Sequence, residues 1–591
     1  MAGKVAQIQA ASTPDTLAKQ LSELYNQWWI QRGPKEEEWK ELRNYLFATD
    51  TTKTTNSKAP WKNKTTLPKL TQIRDNLHAN YMDALFPNDD WLKWEGYTRT
   101  DVIKKKRLAI EAYMKNKLRE SGFRELISKC LYDYIDYGNV FAEAIWVEEK
   151  TKDPSSGEMV DIYTGPKALR ISPHDHVFNP VAASYAKSPK FTRYMKSLGE
   201  LKKEVLYRTD LNFDNAVFEK IVSLRKQMSD FRLEDIAKAE GYFIDGFGSL
   251  KEYYQSGLVE IIEFEGDVFD MDTGELKENR IITIADRKFI LRDIANPSWL
   301  GQDNKVNVCW RERPDNLYGM GPLDNLVGLQ YRLDHLENNK ADAMDLTIHP
   351  PKVIKGDVEP FDWAPGVDIH VPEDGDVQQL APNAAAFQVN NEIGYLLQIM
   401  EEMAGAPKEA MGIRTPGEKT AFEVQQLQNA ASRIFQNKIN KFEIEFLEPL
   451  INKMLELAKR HMDVNDVARI IDNDLGVTAF VEVSKEDITS KGVLRPIGAR
   501  HYAARAQLMQ NLVGIFNSPV GNIITPHVSG KELAKMVEEY MGFEKFKFIK
   551  DNAAVFEGKE TQRLMNQAQG TLEGETATPV EENMMTTAKS A

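Results

Sequence analysis

From Pro322 to Leu346 the chain carries Leu326, Leu329, Leu333, Leu336, Lys340 and Ala343 at steps of three and four. That spacing stacks them on one side of an α-helix, and apart from Lys340 they form one apolar packing stripe. A helix over this range is roughly 38 Å long at the usual rise per residue. The stretch Thr347–Ala386 cannot continue it. It holds six prolines and three glycines, with short β-like runs at Lys352–Ile354 and Val367–Val371. Its acids are Asp357, Glu359, Asp362, Asp368, Glu373, Asp374 and Asp376, opposed only by Lys352 and Lys355. A second helix is predicted over Phe387–Met403, ending before Gly405-Ala406-Pro407, where proline disfavours continuation. A Gly- and Pro-containing loop, Met411–Thr420, then carries Arg414, Glu418 and Lys419. A very long helix is predicted from Ala421 to about His461, capped by Thr420 with Glu423 and bent at Pro449. Two helices joined by a small acidic strand-and-turn insertion, with a long return helix, therefore form the fixed frame.

Around that frame the pattern alternates. One helix is predicted over Thr13–Phe47, a polar loop over Thr51–Thr65, then helices over Leu67–Leu85, Thr98–Ser121 and Phe123–Tyr137. A β-hairpin is predicted from Val140–Val147 and Met159–Thr164 around Asp153-Pro154-Ser155-Ser156-Gly157, followed by an extended run at Ala168–Phe178. Charged helical segments are predicted from Ser188 to Ala239, interrupted at Thr209–Asp214. Strands return at Leu258–Phe264, Ile281–Ile284, Lys288–Asp293, Val306–Trp310 and Val477–Val483. Two last helices are predicted over Gly498–Phe516 and Ser529–Tyr540, and the end of the chain, from about Gly570, reads as disordered. The fold class is α+β.

The chain has 591 residues, 42% of them apolar and 28% charged, enough for about three to five folded units. A net charge of -14 argues against a broad basic nucleic-acid-binding surface, though not against a protein that surrounds DNA without gripping it. Cys130 and Cys309 cannot staple a chain of this length, which suits a reducing compartment. No apolar leader and no membrane-spanning stretch is evident. His174 and His176 form an HxH that a strand would place on one face, as a metal site could use, but no third ligand is near. His349, His370 and Asp368 could hold a cation on assembly. Gly319 and Gly321 precede a helix, as a phosphate cradle would, but a turn leading into a helix is the plainer reading. Phosphates could meet Lys62, Lys64, Lys69, Arg74, Lys104, Lys105, Lys106 and Arg107, with Trp61, Trp91 and Trp94 nearby; a solvated face is the plainer reading. No nucleotide-binding or hydrolase motif occurs, so no catalytic residue, metal or cofactor is expected.

Four strings resemble one family: YGNVFAEAIWVEE at Tyr137–Glu149, GPKALRISPHDHVFNPVA at Gly165–Ala182, the run from Leu317 to Met344 beginning LYGMGPLDNL, and the run from Ala404 to Met454 beginning AGAPKEAMGIRTPGEK. In that order they resemble the portal protein, or head–tail connector, of tailed bacteriophages. The resemblance covers about Gln27 to Tyr540. It implies a portal fold with wing, helical stem, small β clip and helical crown, assembled as a dodecameric ring around a channel for double-stranded DNA. The wing would be residues 1–315, the first stem helix and its lead-in 316–346, the clip 347–386 and the second stem helix 387–405. The tunnel loop would be 406–420, the long helix and returning wing segment 421–493, the crown 494–550 and a flexible tail 551–591. Implied partners are the major capsid and scaffolding proteins, the terminase large subunit and tail adaptor proteins, with no membrane. The place would be the unique capsid vertex of the virion, and the host cytoplasm during assembly. In this frame the leucine seam packs the stem within or between subunits, and Leu333→Asp is expected to prevent ring formation. The acidic clip and the acids Asp324, Asp334, Glu337, Asp342 and Asp345 would repel the DNA backbone, and Arg414 or Lys419, moderated by Glu418, would touch it. The competing readings are another ring-forming adaptor or tail component and a metal-dependent hydrolase.

Overall fold

The computed structural model describes residues 5–8, 14–47, 63–87, 91–96, 101–152, 159–182, 184–208, 211–225, 258–299, 301, 303–348, 352–356, 373, 375–379, 388–404, 434–462, 466–471, 478–489 and 491–497. These fall in one compact unit, apart from Ile471; a second unit comprises Ile471–Val477 and His501–Ala591. The helices predicted over Gly498–Phe516 and Ser529–Tyr540, and the C-terminal tail, lie outside the described residues.

Helices α1 (Pro14–Gln31) and α2 (Gly33–Phe47) replace the single helix expected over Thr13–Phe47. Pro34 has no N–H to continue the ladder. At the break, the buried Arg32 guanidinium donates to the carbonyls of Pro173, His174 and His176. Helices α3 (Lys69–Leu85), α4 (Asp101–Glu120) and α5 (Phe123–Asp136) follow, close to expectation.

Strand β1 (Val5–Ile8) opens the β structure and β2 (Leu92–Gly96) lies between α3 and α4. Strands β3 (Asn139–Lys152) and β4 (Met159–Ile171) make one long hairpin. Strand β4 runs through the gap between the runs expected at Met159–Thr164 and Ala168–Phe178: Pro166 sits opposite Trp146 in mid-strand. It is tolerated because β4 is the edge of a three-stranded sheet ordered β10-β3-β4, where β10 is Lys305–Cys309.

A six-stranded sheet runs β5 (His176–Phe178), β6 (Lys190–Ser197), β7 (Leu258–Asp270), β8 (Leu276–Ala285) and β9 (Phe289–Ala295). One side of β7 pairs with β6 as far as Glu265, and β1 then pairs in parallel with Asp267–Asp270. Lys190–Ser197, expected to be helical, is thus a strand. Helices α6 (Leu198–Tyr207) and α7 (Asn215–Arg225) pack beside it, α6 opened by a Ser197–Glu200 capping box. Helix α1 packs Leu17, Leu21 and Tyr25 against Phe191, Ile262 and Phe264 of this sheet.

Strands β11 (Arg311–Arg313) and β12 (Asn316–Met320) pair and lead to α8 (Val327–Ile348). Strands β13 (Lys352–Lys355) and β14 (Asp376–Gln379) pair antiparallel and lead to α9 (Val389–Met403). Helical residues 434–442, a π turn (Glu443–Leu447) and α10 (Glu448–His461) form the described part of the long helix. The π turn, in which the Glu448 N–H donates to the Glu443 carbonyl, lies just before Pro449, where a bend is expected, and Pro449 itself sits in the first turn of α10. Strands β15 (Asp466–Ile471) and β16 (Thr478–Val483) pair, a short helix α11 (Lys485–Ile488) follows, and β17 (Gly492–Pro496) pairs with β2. The largest core joins α3, α4, α5, β3, β10, α8, α9 and α10.

Candidate functional site

Helices α8 and α9 pack against each other and carry the motifs that sequence reasoning singled out. A 3-10 turn, Asp324–Leu326, introduces α8, and the Gly321 N–H donates to Asp324 Oδ2 at 3.1 Å. Leu326 and Leu333 are fully buried in the main core with Ile393, Met400 and Phe442, while Leu329 and Leu336 pack half-buried against it. The seam therefore lies within the chain. An aspartate at Leu333 would unfold the subunit before assembly could be scored, so that substitution cannot test a ring. Burial on α8 ends at Asn338; Met344, Leu346 and Ile348 beyond it are exposed, as are Tyr331, Ile354, Tyr395 and Met403.

Polar anchors fix the pair. Lys69 of α3 and Glu401 of α9 form a buried ion pair, and Arg332 reaches Glu392 at 3.4 Å on the surface. The acids proposed to repel DNA are largely occupied. Asp324 pairs with Lys35 at 3.1 Å, Glu337 with Lys340 at 3.2 Å, and Asp342 and Asp345 accept from Asn63. Asp334 is buried and cannot face DNA from this position. Its carboxyl is pushed up to about 6 by burial, against the pull of the Leu67 N–H and Gln330.

Of the acidic insertion, Glu373 is exposed and Asp376 lies 3.9 Å from Lys355. Asp357, Glu359, Asp362, Asp368 and Asp374 lie outside the described residues, as do Arg414, Glu418, Lys419, His349 and His370.

The HxH pair does not converge. His174 lies in the 3-10 turn Pro173–Asp175 with Nδ1 2.9 Å from Glu36, whereas His176 is buried between Thr192 Oγ1 at 3.0 Å and Tyr185 OH at 2.8 Å. Burial, reinforced by Lys305, Lys190 and Arg32, holds His176 neutral, well below the usual histidine range. Among the described residues no group of three His, Cys, Asp or Glu side chains could hold a metal, and no helix is long and apolar enough to cross a membrane.

The Gly319 N–H donates to Asn139 Oδ1 at 2.8 Å and that of Gly321 to Asp324, so both amides are turned inward and offer phosphate nothing. Of the basic residues, Arg74 forks onto Asp136 at 2.7 and 2.8 Å beneath Tyr132, Arg107 pairs with Glu111 at 2.9 Å, and Lys106 donates to the Glu486 carbonyl at 3.0 Å.

A buried ionic cluster escaped the sequence reading. Lys305 of β10 lies 2.9 Å from Glu263 and 2.7 Å from Glu265 of β7, and 3.8 Å from Glu143 of β3. Asp303 joins Lys190 of β6 to Lys453 of α10, and Lys453 also donates to the Asp303 and Lys305 carbonyls at 2.7 Å each. Burial pulls Lys305 down, but Glu263, Glu265 and Glu143 outweigh it and hold the ammonium well above its ordinary range. Burial raises both glutamates. At Glu263, Lys305 and Arg292 overcome it and the net shift is downward. At Glu265, burial with the help of Glu263 and Asp303 outweighs Lys305, and the net shift is upward. Two sheets and the return helix are thus pinned at one point. The only trace in the sequence is charge at core positions, such as Lys305 beside Val306.

Residues 305–478, from β10 to the start of β16, match the family model described as bacteriophage head to tail connecting protein. The matched segment contains α8, α9, the β13–β14 pair between them, and α10. No curated protein matches the chain.

Proposed function

We propose that this chain is a portal subunit, one of about twelve copies closing a ring around a channel at one capsid vertex. The connector-family match over residues 305–478 carries the reading. The helix–hairpin–helix of α8, β13–β14 and α9 supports it, because exposed Tyr331, Met344, Leu346, Ile348 and Tyr395 offer apolar surface for neighbouring copies. In this reading residues 1–315 with 421–493 form the wing, 316–346 and 387–405 the stem, 347–386 the clip, 406–420 the tunnel loop, 494–550 the crown and 551–591 the tail. Double-stranded DNA passes through the channel during packaging and ejection. Terminase docks first and tail or adaptor proteins later, with capsid and scaffolding proteins around the ring. The chain itself has no catalytic role in this account, and packaging force comes from a separate ATPase.

Electron microscopy of the purified chain tests the proposal. End-on views are expected to show closed rings of about twelve subunits, or of neighbouring sizes, around a channel. Persistent monomers or compact dimers would overturn it. Within that frame, the Arg414→Ala/Lys419→Ala double variant is expected to assemble normally yet change DNA packaging or retention, because two phosphate-seeking cations leave the tunnel loop. Unchanged packaging and retention would remove those residues from the DNA path.

A further inference from the structure

Residues 63–67 run along α8 in the opposite direction to the helix, held by side chains that recognise main-chain atoms. Asn338 brackets Thr65, accepting from its N–H at 2.7 Å and donating to its carbonyl at 2.9 Å. Asp334 Oδ1 accepts from the Leu67 N–H at 2.9 Å, and Gln330 Nε2 donates to the Leu67 carbonyl at 2.6 Å. Asp342 Oδ1 accepts from the Asn63 N–H at 2.7 Å, while Asn63 Nδ2 donates to Asp345 at 2.7 Å. The ladder is commensurate. Four helical residues advance about 6.0 Å and two extended residues about 6.6 Å, so Asp334, Asn338 and Asp342 meet Leu67, Thr65 and Asn63 in step. Sequence composition made this stretch the end of a polar loop, but the side chains of α8 seat it. Of the segment, Leu67 adds apolar contact with the main core, so the seat is otherwise largely polar.

The ladder is short of donors. Asp334 Oδ1 already accepts from Leu67 and from Gln330 at 2.8 Å. Asp334 Oδ2 and Gln330 Oε1 are both buried without a partner among the described residues. No cation among the described residues reaches them. Lys69, just past the segment, is engaged by Glu401 and Gln72, and Arg332 of α8 by Glu392 of α9. From α2, Tyr45 stands near Asp334 with its phenol pushed up to about 12 by burial and by that carboxyl, with Glu41 beside it. A buried carboxylate with one oxygen unmatched costs more than a neutral carboxyl in the same place.

We infer that a neutral Asp334 carboxyl favours the seating of residues 63–67, and that its ionisation favours their release from α8, making the ladder a pH-responsive latch. Burial raises the seated carboxyl from the ordinary aspartate value of 3.8 to about 6. The seated state therefore binds the proton more tightly than the released one. Release is opposed at low pH and becomes easier as pH rises toward and through about 6. The shift makes the release constant roughly tenfold larger at about pH 8 than at about pH 5.

Hydrogen–deuterium exchange on the full chain reads this directly at the Thr65 and Leu67 amides, corrected for intrinsic exchange and compared with global unfolding measured at the same pH. Wild-type protection is expected to fall about tenfold between about pH 5 and about pH 8. Asp334→Asn keeps the acceptor at Oδ1 and puts a donor where Oδ2 has none, so its protection is expected to stay high and flat. Asn338→Ala is expected to speed exchange at Thr65 at every pH while leaving the pH dependence in place. A flat wild-type profile, or an unchanged slope in Asp334→Asn, overturns the latch. Unchanged Thr65 exchange in Asn338→Ala overturns the seat itself.

Discussion

Gly138→Ala is expected to lose at least about 3 kcal/mol of stability, and cells expressing it should accumulate little folded protein. Gly138 has φ +66°, and a Cβ there would lie 2.2 Å from both the Gly321 nitrogen and the Met320 carbonyl carbon. The left-handed backbone alone costs an alanine about 1 kcal/mol. The overlap is with main chain, which no rotamer change relieves. Gly319 and Gly321 face a similar overlap with main chain: a Cβ on Gly319 would meet the Arg311 carbonyl oxygen at 2.7 Å, and one on Gly321 the Ile135 carbonyl oxygen at 2.6 Å. The joint between α5 and β3 therefore interlocks with β12 through bare backbone, just before α8 begins. Gly328, inside α8 with no heavy atom within 4 Å of a built Cβ, is the matched control. Alanine there is expected to stabilise by about 0.5–1 kcal/mol through helix propensity. Urea unfolding of both variants checks the contrast, and a Gly138→Ala midpoint within error of wild type would refute the interlock.

The second large effect belongs to Lys305. Lys305→Met removes the ammonium facing Glu143, Glu263 and Glu265 and is expected to cost about 3–5 kcal/mol, because the carboxylates stay buried without it. The variant should also unfold more readily as pH rises, when those carboxyls must ionise. In the intact cluster the two glutamates of β7 work in opposite directions. Glu265 sits above the ordinary glutamate value of 4.5, so its contribution is greatest at low pH and is lost as pH rises through its folded value. Glu263 sits below that value, so its contribution is present above about 4.5 and is lost as pH falls toward its folded value. Stability from this cluster should peak in the mildly acidic range. Glu265→Gln is expected to flatten the decline on the neutral side while leaving the acid limb intact. Thermal unfolding of the variants across pH measures both limbs, and a Lys305→Met melting curve matching wild type would dismiss the cluster as a structural pin.

Where burial followed apolar spacing, the fold was legible. Helices α3, α4 and α5 lie within a few residues of expectation, and residues such as Ile73, Leu77 and Tyr81, or Ile127, Leu131 and Tyr134, mark inward faces. Reading failed where charge is buried. Lys190–Ser197 looks like a charged helix, yet Lys190 and Arg193 are inside, paired with Asp303 and Glu260. It failed again where partners are remote, since β2 carries no sign of β17 some four hundred residues away. At the candidate site the Leu326–Leu336 seam was readable. Of the polar row Gln330, Asp334 and Asn338 at steps of four, the sequence reading uses only Asp334, as an acid that would repel DNA. A repeated carboxamide–carboxylate row beside an apolar seam was the available signal, and it marked a backbone seat.

The π turn at Glu443–Leu447 makes the return helix a matter of counting. It holds one residue more than an α-helical turn, and it lies between the buried positions Ile439 and Phe442 on one side and Leu450 and Met454 on the other. Deleting any one residue there would give a smoother helix and rotate one half against the other by about 100°. Phe435, Ile439 and Phe442 could then not stay seated while Lys453 still reached Asp303. Ile444, exposed within the turn, is free to change in kind, but the turn cannot change in length. Insertions and deletions, more than substitutions, are what this stretch of gene must avoid.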